Sequence, residues 1–317
     1  MNPLRLAGLA LVAALAGCGV GARRGTGDEG RDDVAQGADS GYGGAMAAAL
    51  ARLDEPEVAE RIFFPRPDPG DPPPPGSTDL SIRVADGVAL HARFHAGPAG
   101  APVVLLFHGN GEIVADYDDV AEAYRGLGAG LLVVDYRGYG RSGGTPTPSS
   151  LIHDADRVLD FVRDGSAVRG HPPLVVLGRS LGSAPAIHLA ATRGTELAGL
   201  ILESGFARTL PLLRLVGVPV ERLGLQETDG FDNRDRMRQV TIPTLILHAD
   251  EDSIIPFEDA RLNFEACGAA QKELVVIEGA DHNSIMAYGG RKYWGAIAAF
   301  LQRAGRAVDG GDGGSTP

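Results

Sequence analysis

Two residues carry the means of covalent chemistry. Ser180 stands between glycines in Gly178-Arg179-Ser180-Leu181-Gly182, and His282 lies in a loop further along the chain. A serine hydroxyl becomes a useful nucleophile when a nearby base takes its proton, and an imidazole is the commonest such base. The pentad follows the apolar run 174–177 and precedes the helix-favouring stretch 183–192, so it marks a sharp turn from a buried strand into a helix. Such a turn brings strand and helix too close for side chains at the flanks. It holds the central serine in a strained conformation with its hydroxyl above the sheet. Alone, the pattern also describes an ordinary strand-to-helix turn. Of the 8 histidines, only His282 follows the final apolar run and precedes a closing helix, expected over 290–301. Between the serine and this histidine, His248-Ala249-Asp250-Glu251-Asp252 ends another apolar run and offers three carboxylates that can complete the order Ser, Asp, His.

An acyl-transfer site also needs donors for a developing oxyanion. His108-Gly109-Asn110-Gly111-Glu112 follows the apolar run 103–107, and its glycines leave backbone N–H groups free to point at an anion. The Asn110 N–H is the expected donor, with Gly111 the alternative, and the Leu181 N–H is expected to supply the second. No G-K-[ST] follows, which argues against a phosphate loop. His108 reads as a packing residue under the loop, and 136–142 as a structural turn beside it. His153 with Asp154 and Asp156 has a metal-like spacing but fits a solvated helix face, and nothing completes a ligand set. No metal or organic cofactor is expected.

The elements that position these residues are legible as apolar runs. The segments 103–107, 131–134, 174–178, 200–202, 244–248 and 273–277 are short, glycine-bounded and separated by helix-length stretches. They predict an α/β fold with a mostly parallel sheet covered on both faces, and ligands at the carboxyl ends of its strands. Before them, alternation on either side of Asp86-Gly87 predicts a hairpin. Residues 45–61 read as helical, with Leu50 and Leu53 on one face and Asp54 as cap of a helix restarting at Glu55-Pro56. Ile62-Phe63-Phe64-Pro65 reads as an apolar anchor and 65–76 as a polyproline spacer.

Taken together, H-G-N at 108–110, D-Y-R-G-Y-G-x-S at 135–142, G-x-S-x-G at 178–182, H-x-x-x-D-x-I-x-P at 248–256 and G-A-x-H-N at 279–283 resemble the α/β-hydrolases. Similarity is greatest to the branch of protein depalmitoylases and monoacylglycerol and lysophospholipid lipases, and covers about residues 80–301 of a domain expected over 80–304. The resemblance implies an α/β-hydrolase fold and a Ser180, Asp252, His282 triad, with Asp252 the acid among the three carboxylates. It also implies a lid over 205–240, where Leu210, Leu213, Val216 and Val218 are expected to line an acyl pocket. The implied activity is hydrolysis of carboxylic esters or thioesters, with a serine peptidase, an acyltransferase or a non-catalytic binding module as alternatives. Two departures from the pattern are Ala249, usually glycine, and Asp281, usually small, whose charge is expected to raise the His282 pKa.

Residues 1–17 read as a signal peptide, with Arg5 followed by an apolar run too short to span a bilayer. Leu15-Ala16-Gly17-Cys18 resembles a bacterial lipobox, which implies acylation of Cys18 and an extracytoplasmic protein anchored to the membrane. Gly19 after that cysteine favours the outer membrane. Residues 18–44 are polar and read as a tether, and 305–317 as a disordered tail. The formal charge of −12 excludes nucleic acid and anionic lipid surfaces as partners, so attachment would rest on acyl chains. The second of the 2 cysteines is Cys267, so acylation of Cys18 leaves no internal disulfide.

Overall fold

The computed structural model describes residues 49–165, 168 and 170–309. The signal-peptide, Cys18 and tether expectations, and the end of the tail, lie outside these residues. Eight strands form one sheet in the order β1-β2-β4-β3-β5-β6-β7-β8. They are β1 (Ser77–Ala85), β2 (Val88–His95), β3 (Val103–Phe107), β4 (Gly130–Val134), β5 (Leu174–Arg179), β6 (Gly199–Glu203), β7 (Thr244–Ala249) and β8 (Lys272–Ile277). β1 and β2 are antiparallel about Asp86-Gly87, β2 runs antiparallel to β4, and every later pairing is parallel.

Strands β3 to β7 are buried at every position, which explains why they read as continuous apolar runs rather than alternating ones. Successive residues serve opposite cores. Val103, Leu105 and Phe107 face one, and Val104 and Leu106 the other. The first core is covered by α1 (Pro56–Ile62), α3 (Pro148–Arg163), α4 (Ser183–Thr192) and α8 (Phe257–Ala266); the second by α2 (Asp118–Gly126) and α9 (Ile285–Asp309). Between β6 and β7 run α5 (Thr209–Leu215), α6 (Val220–Leu223) and α7 (Asn233–Met237). Among the described residues, no helix is long and apolar enough to cross a membrane.

Three expectations are corrected. A short helical segment from Ile285 precedes the expected closing helix, Gly290 (φ 42°, ψ −120°) forming the kink between the two, and the second segment runs past the expected 301 to Asp309, so the tail is helical over 305–309. The segment 65–76 is no free spacer, because the Gly140 N–H donates to the Arg66 carbonyl (2.9 Å) and Arg141 binds Asp68 (2.9 Å). Asp54 does not cap α1, whose N-cap is Glu55 without a side-chain bond. Its Oδ1 instead accepts the Ser149 N–H (2.9 Å), one of the orphan donors in the first turn of α3. The Thr147 hydroxyl takes the Ser150 N–H (3.1 Å) of the same turn. The N-terminal extension therefore caps a helix distant in sequence. Asp54→Ala should lower unfolding free energy by about 1 kcal/mol, read as a reduced urea midpoint with unchanged m; no shift would show that water serves the Ser149 donor equally well.

Candidate active site

β5 ends at Arg179 and the chain turns at once through Ser180, whose φ is +52°. A non-glycine residue in that region costs about 1–3 kcal/mol and persists only where its surroundings enforce it. Here they do. A Cβ on Gly178 would meet the Gly182 carbonyl oxygen at 2.4 Å, and one on Gly182 would meet the Phe107 carbonyl oxygen at 2.0 Å. Both flanking glycines are required by this approach of the turn to itself and to β3.

The structure brings Ser180, His282 and Asp252 together. His282 Nε2 lies 2.9 Å from Ser180 Oγ, and His282 Nδ1 lies 2.7 Å from Asp252 Oδ2. A carboxylate only accepts, so Nδ1 carries the proton and Nε2 is left to accept from the serine hydroxyl. Asp252 Oδ1 accepts the Ile254 N–H (3.0 Å) and the Ile255 N–H (2.8 Å), which fixes its carboxylate plane. The competing carboxylates lie elsewhere: Asp250 is exposed and accepts the Gly279 N–H (2.7 Å), and Glu251 is exposed. Asp281 is also spent locally. Its Oδ1 accepts the Asn283 and Ser284 N–H groups (2.9 and 2.8 Å), and the Ser284 hydroxyl followed by these two backbone bonds lowers its pKa. It is thus a turn cap. Ala249 is fully buried at the end of β7.

The loop after β3 closes when the Gly109 N–H donates to Glu112 Oε2 (2.7 Å) and the Glu112 N–H to the Gly109 carbonyl (3.2 Å). Neither bond uses the Asn110 N–H. The Leu181 N–H belongs to the first turn after the elbow, where donors have no partner inside the helix. The Asn110 side chain is engaged elsewhere, donating from Nδ2 to the Ile62 carbonyl (2.5 Å) and accepting from Tyr139 Oη (2.6 Å). His108 is wholly buried against Tyr136, whose hydroxyl donates to the His108 carbonyl (2.6 Å).

A charged cluster that motif reasoning missed lies beneath the site. Arg179 is 5% exposed. Its Nε binds Glu112 Oε1 and its Nη1 binds Glu203 Oε1, both at 2.8 Å. Nη1 also donates to the His282 carbonyl (3.3 Å), and Nη2 to Asn283 Oδ1 (3.4 Å). Tyr117 and Tyr293 donate their hydroxyls to Glu112 (2.6 Å) and Glu203 (2.5 Å). Burial alone would raise the Glu112 pKa, but Arg179 and the Tyr117 hydroxyl outweigh it and hold it at about 2. The signal was present in the sequence, since Arg179 and Glu203 are charges at the ends of wholly apolar strands.

A cleft of about 140 Å³ opens above Ser180. Leu213 and Val216 line it, together with Leu212, Leu215, Phe231 and Ile254. Leu210 and Val218 do not. Val218 is 3% exposed in the core and Leu210 packs half-buried against it. Ile62 and Phe64 line the cleft from the N-terminal extension, an assignment the apolar-anchor reading lacked. The metal-like trio is also dispersed. Asp154 is buried and holds Arg137 through two bonds of 2.7 Å, and Asp156 accepts from His188 Nε2 (2.9 Å).

Comparison with known proteins agrees with this architecture. A family model described as "Serine aminopeptidase, S33" (Hydrolase_4) matches residues 99–228 and 222–286. An uncharacterized protein of Mycobacterium tuberculosis is 30% identical over 247 residues, covering 76% of this chain and 85% of its own. The alpha/beta hydrolase domain-containing protein 17B of Homo sapiens is 33% identical over 215 residues, covering 65% of this chain and 69% of its own. Among solved structures, the esterase Pf2001 of Pyrococcus furiosus superposes with a TM-score of 0.61 at 19% identity, covering 76% of this chain and 99% of that one.

The depressed Glu112 pKa carries a stability consequence with a definite sign. Its ionised form is favoured in the folded state, so its contribution is fully present above the ordinary value of 4.5 and is lost as pH falls toward about 2. Asp135 is also held at about 2, by His108, His91 and the Val114 N–H against the opposing effect of burial, and contributes over a similar window. Glu112→Gln should make acid destabilisation over this interval shallower without abolishing it, in urea titrations at stepped pH. An unchanged slope would remove Glu112 from the acid response.

Proposed function

We propose, for a chain that belongs to the α/β-hydrolase superfamily through its match to the S33 serine aminopeptidase family, a serine hydrolase that cleaves carboxylic esters or thioesters of acyl chains. The observation that carries the reading is the continuous chain from Ser180 Oγ to His282 Nε2 (2.9 Å) and from His282 Nδ1 to Asp252 Oδ2 (2.7 Å) at the mouth of an apolar cleft. In this mechanism Ser180 Oγ attacks the carbonyl carbon while His282 Nε2 takes its proton. The Asn110 and Leu181 N–H groups receive the oxyanion, and Asp252 stabilises the imidazolium. Collapse of the tetrahedral intermediate expels the alcohol or thiol, protonated by His282. Water then attacks the acyl-enzyme with His282 as base, releasing the acid and restoring Ser180.

An aminopeptidase must hold the substrate's α-ammonium group with a free acceptor, normally a carboxylate. Glu112 is the one carboxylate among the residues lining the cleft, and it is already engaged by Arg179, Tyr117 and the Gly109 N–H. Apolar walls and the lack of a spare anion favour an acyl chain over a peptide N-terminus. The segment 205–240 serves in this reading as the lid, through Leu212, Leu213, Leu215 and Val216. The anchor we propose is an acylated Cys18, outside the described residues, which would hold the enzyme at an extracytoplasmic membrane face.

A fluorophosphonate probe should label the wild-type protein at Ser180 and leave Ser180→Ala unlabelled. A folded protein that takes no label would point to a non-catalytic binding module. Asp252→Asn should lower kcat on p-nitrophenyl butyrate by about 10⁴-fold, as loss of the orienting carboxylate does in serine hydrolases, whereas Asp250→Asn should keep most of it. The reverse ranking would transfer the acid role to Asp250. For the anchor, Cys18→Ser should abolish incorporation of metabolically supplied palmitate while the hydrolase domain still folds; a mature N-terminus other than Cys18 would refute the anchor.

A further inference from the structure

The family match begins at residue 99, yet the cleft has a wall built from residues well before it. Ile62 ends α1, and the chain then becomes extended at Phe63 (φ −102°, ψ 134°). Extended backbone sends successive side chains to opposite sides. Phe63 accordingly enters the core at 4% exposure, while Phe64 remains 44% exposed and lines the cleft. Leu215, 45% exposed, lines it from α5. These are two of the three large apolar side chains left exposed among the described residues, and both belong to this cleft. Uncharged apolar surface of this kind suits a hydrocarbon chain.

The same segment grips the loop after β3. The Phe64 N–H lies 3.0 Å from Asn110 Oδ1 and 2.9 Å from Tyr139 Oη, the Asn110 Nδ2 group donates to the Ile62 carbonyl (2.5 Å), and Arg66 Nε donates to the Gly111 carbonyl (3.1 Å). Arg66 also pairs with Asp116. On the other flank the extension is tied to 205–240, where Arg61 donates to the Gly217 carbonyl (3.2 Å), Arg52 pairs with Asp229 (2.6 Å) and Arg222 with Glu57. The extension thus bridges the two borders of the cleft.

We propose that residues 62–66 are a working part of the site. Ile62 and Phe64 form one wall of a subsite for linear acyl chains, and the bonds to Asn110 and Gly111 hold in place the loop that carries the Asn110 N–H. The inference rests on the hydrolase reading for the second role only. In the first role Phe64 determines specificity; in the second the Asn110 side chain is a positioning group, acting through its own backbone donor.

The test uses the full chain with p-nitrophenyl acetate and p-nitrophenyl octanoate, and measures binding of dansyl-undecanoic acid to proteins carrying Ser180→Ala. Phe64→Ala should raise KM for octanoate about tenfold while acetate stays within about twofold, the scale of discrimination an apolar pocket supports. In the Ser180→Ala background it should weaken dansyl-undecanoic acid binding to a similar degree. Asn110→Ala should lower kcat on both esters by up to about 10²-fold with little change in KM, the signature of a misplaced donor. Unchanged octanoate preference and unchanged fatty-acid binding in folded Phe64→Ala, or no fatty-acid binding at all, overturns the subsite. Retained kcat in Asn110→Ala overturns the positioning role. If the wild type hydrolyses neither ester but binds the fatty acid in a Phe64-dependent way, the subsite stands and the hydrolytic reading fails.

Discussion

A guanidinium buried in the middle of the fold governs how the site is assembled. Removing the Arg179 charge from water is tolerable only if fixed partners replace its hydration, and leaving such a charge without partners costs about 3–5 kcal/mol. Its partners come from separate segments: Glu112 from the loop after β3, Glu203 from the end of β6, and the His282 carbonyl and Asn283 from the loop after β8. None can drift without leaving a bond of the cluster unmade. Arg179 also immediately precedes Ser180, so the requirement to satisfy one buried charge draws the segments bearing Asn110 and His282 around the serine.

Sheet order does the remaining alignment. β3 and β5 are neighbours with Phe107 opposite Gly178, which puts the loop after β3 beside the elbow after β5. The approach is so close that Gly182 abuts the Phe107 carbonyl. The segments bearing the Leu181 N–H and the Asn110 N–H therefore leave adjacent strand ends: parallel pairing brings them side by side, and the bonds to Asn110 and Gly111 hold the longer of the two loops in place. β7 and β8 are likewise paired, with Ala249 opposite Ile277, so the loops bearing Asp252 and His282 leave the sheet side by side.

The parts of this arrangement governed by local rules were legible in the sequence. Strands buried on both faces must be apolar throughout, so β3 to β7 lie within one residue of the runs that predicted them. The elbow glycines were legible because sterics leave no alternative there. Features created by long-range contact were not. Asp54 reads as a cap for the helix next to it but serves α3, because only the folded chain shows which orphan donor it meets. Leu210, Leu213, Val216 and Val218 are equally apolar, and hydrophobicity does not say which face of 205–240 turns to the cleft and which to the core. Ile62 and Phe64 lie before the recognised motifs, and the short helical segment from Ile285 lies ahead of the kink at Gly290, where the expected closing helix starts.

Asp250 and Asp252 have the same chemistry and stand two residues apart, and what distinguishes them is the backbone around them. The Asp250 N–H still donates to the Ile277 carbonyl (3.3 Å), extending the β7–β8 pairing by one residue, while its Oδ1 accepts the Gly279 N–H at the surface. By Asp252 the chain has turned inward, and the carboxyl is wholly buried. A buried carboxylate needs donors for its lone pairs. Oδ1 takes two backbone N–H groups, and the donor reaching Oδ2 is the His282 imidazole. The bonds that make burial of Asp252 tolerable also remove its freedom to rotate, and so fix the tautomer and the plane of the ring that faces Ser180.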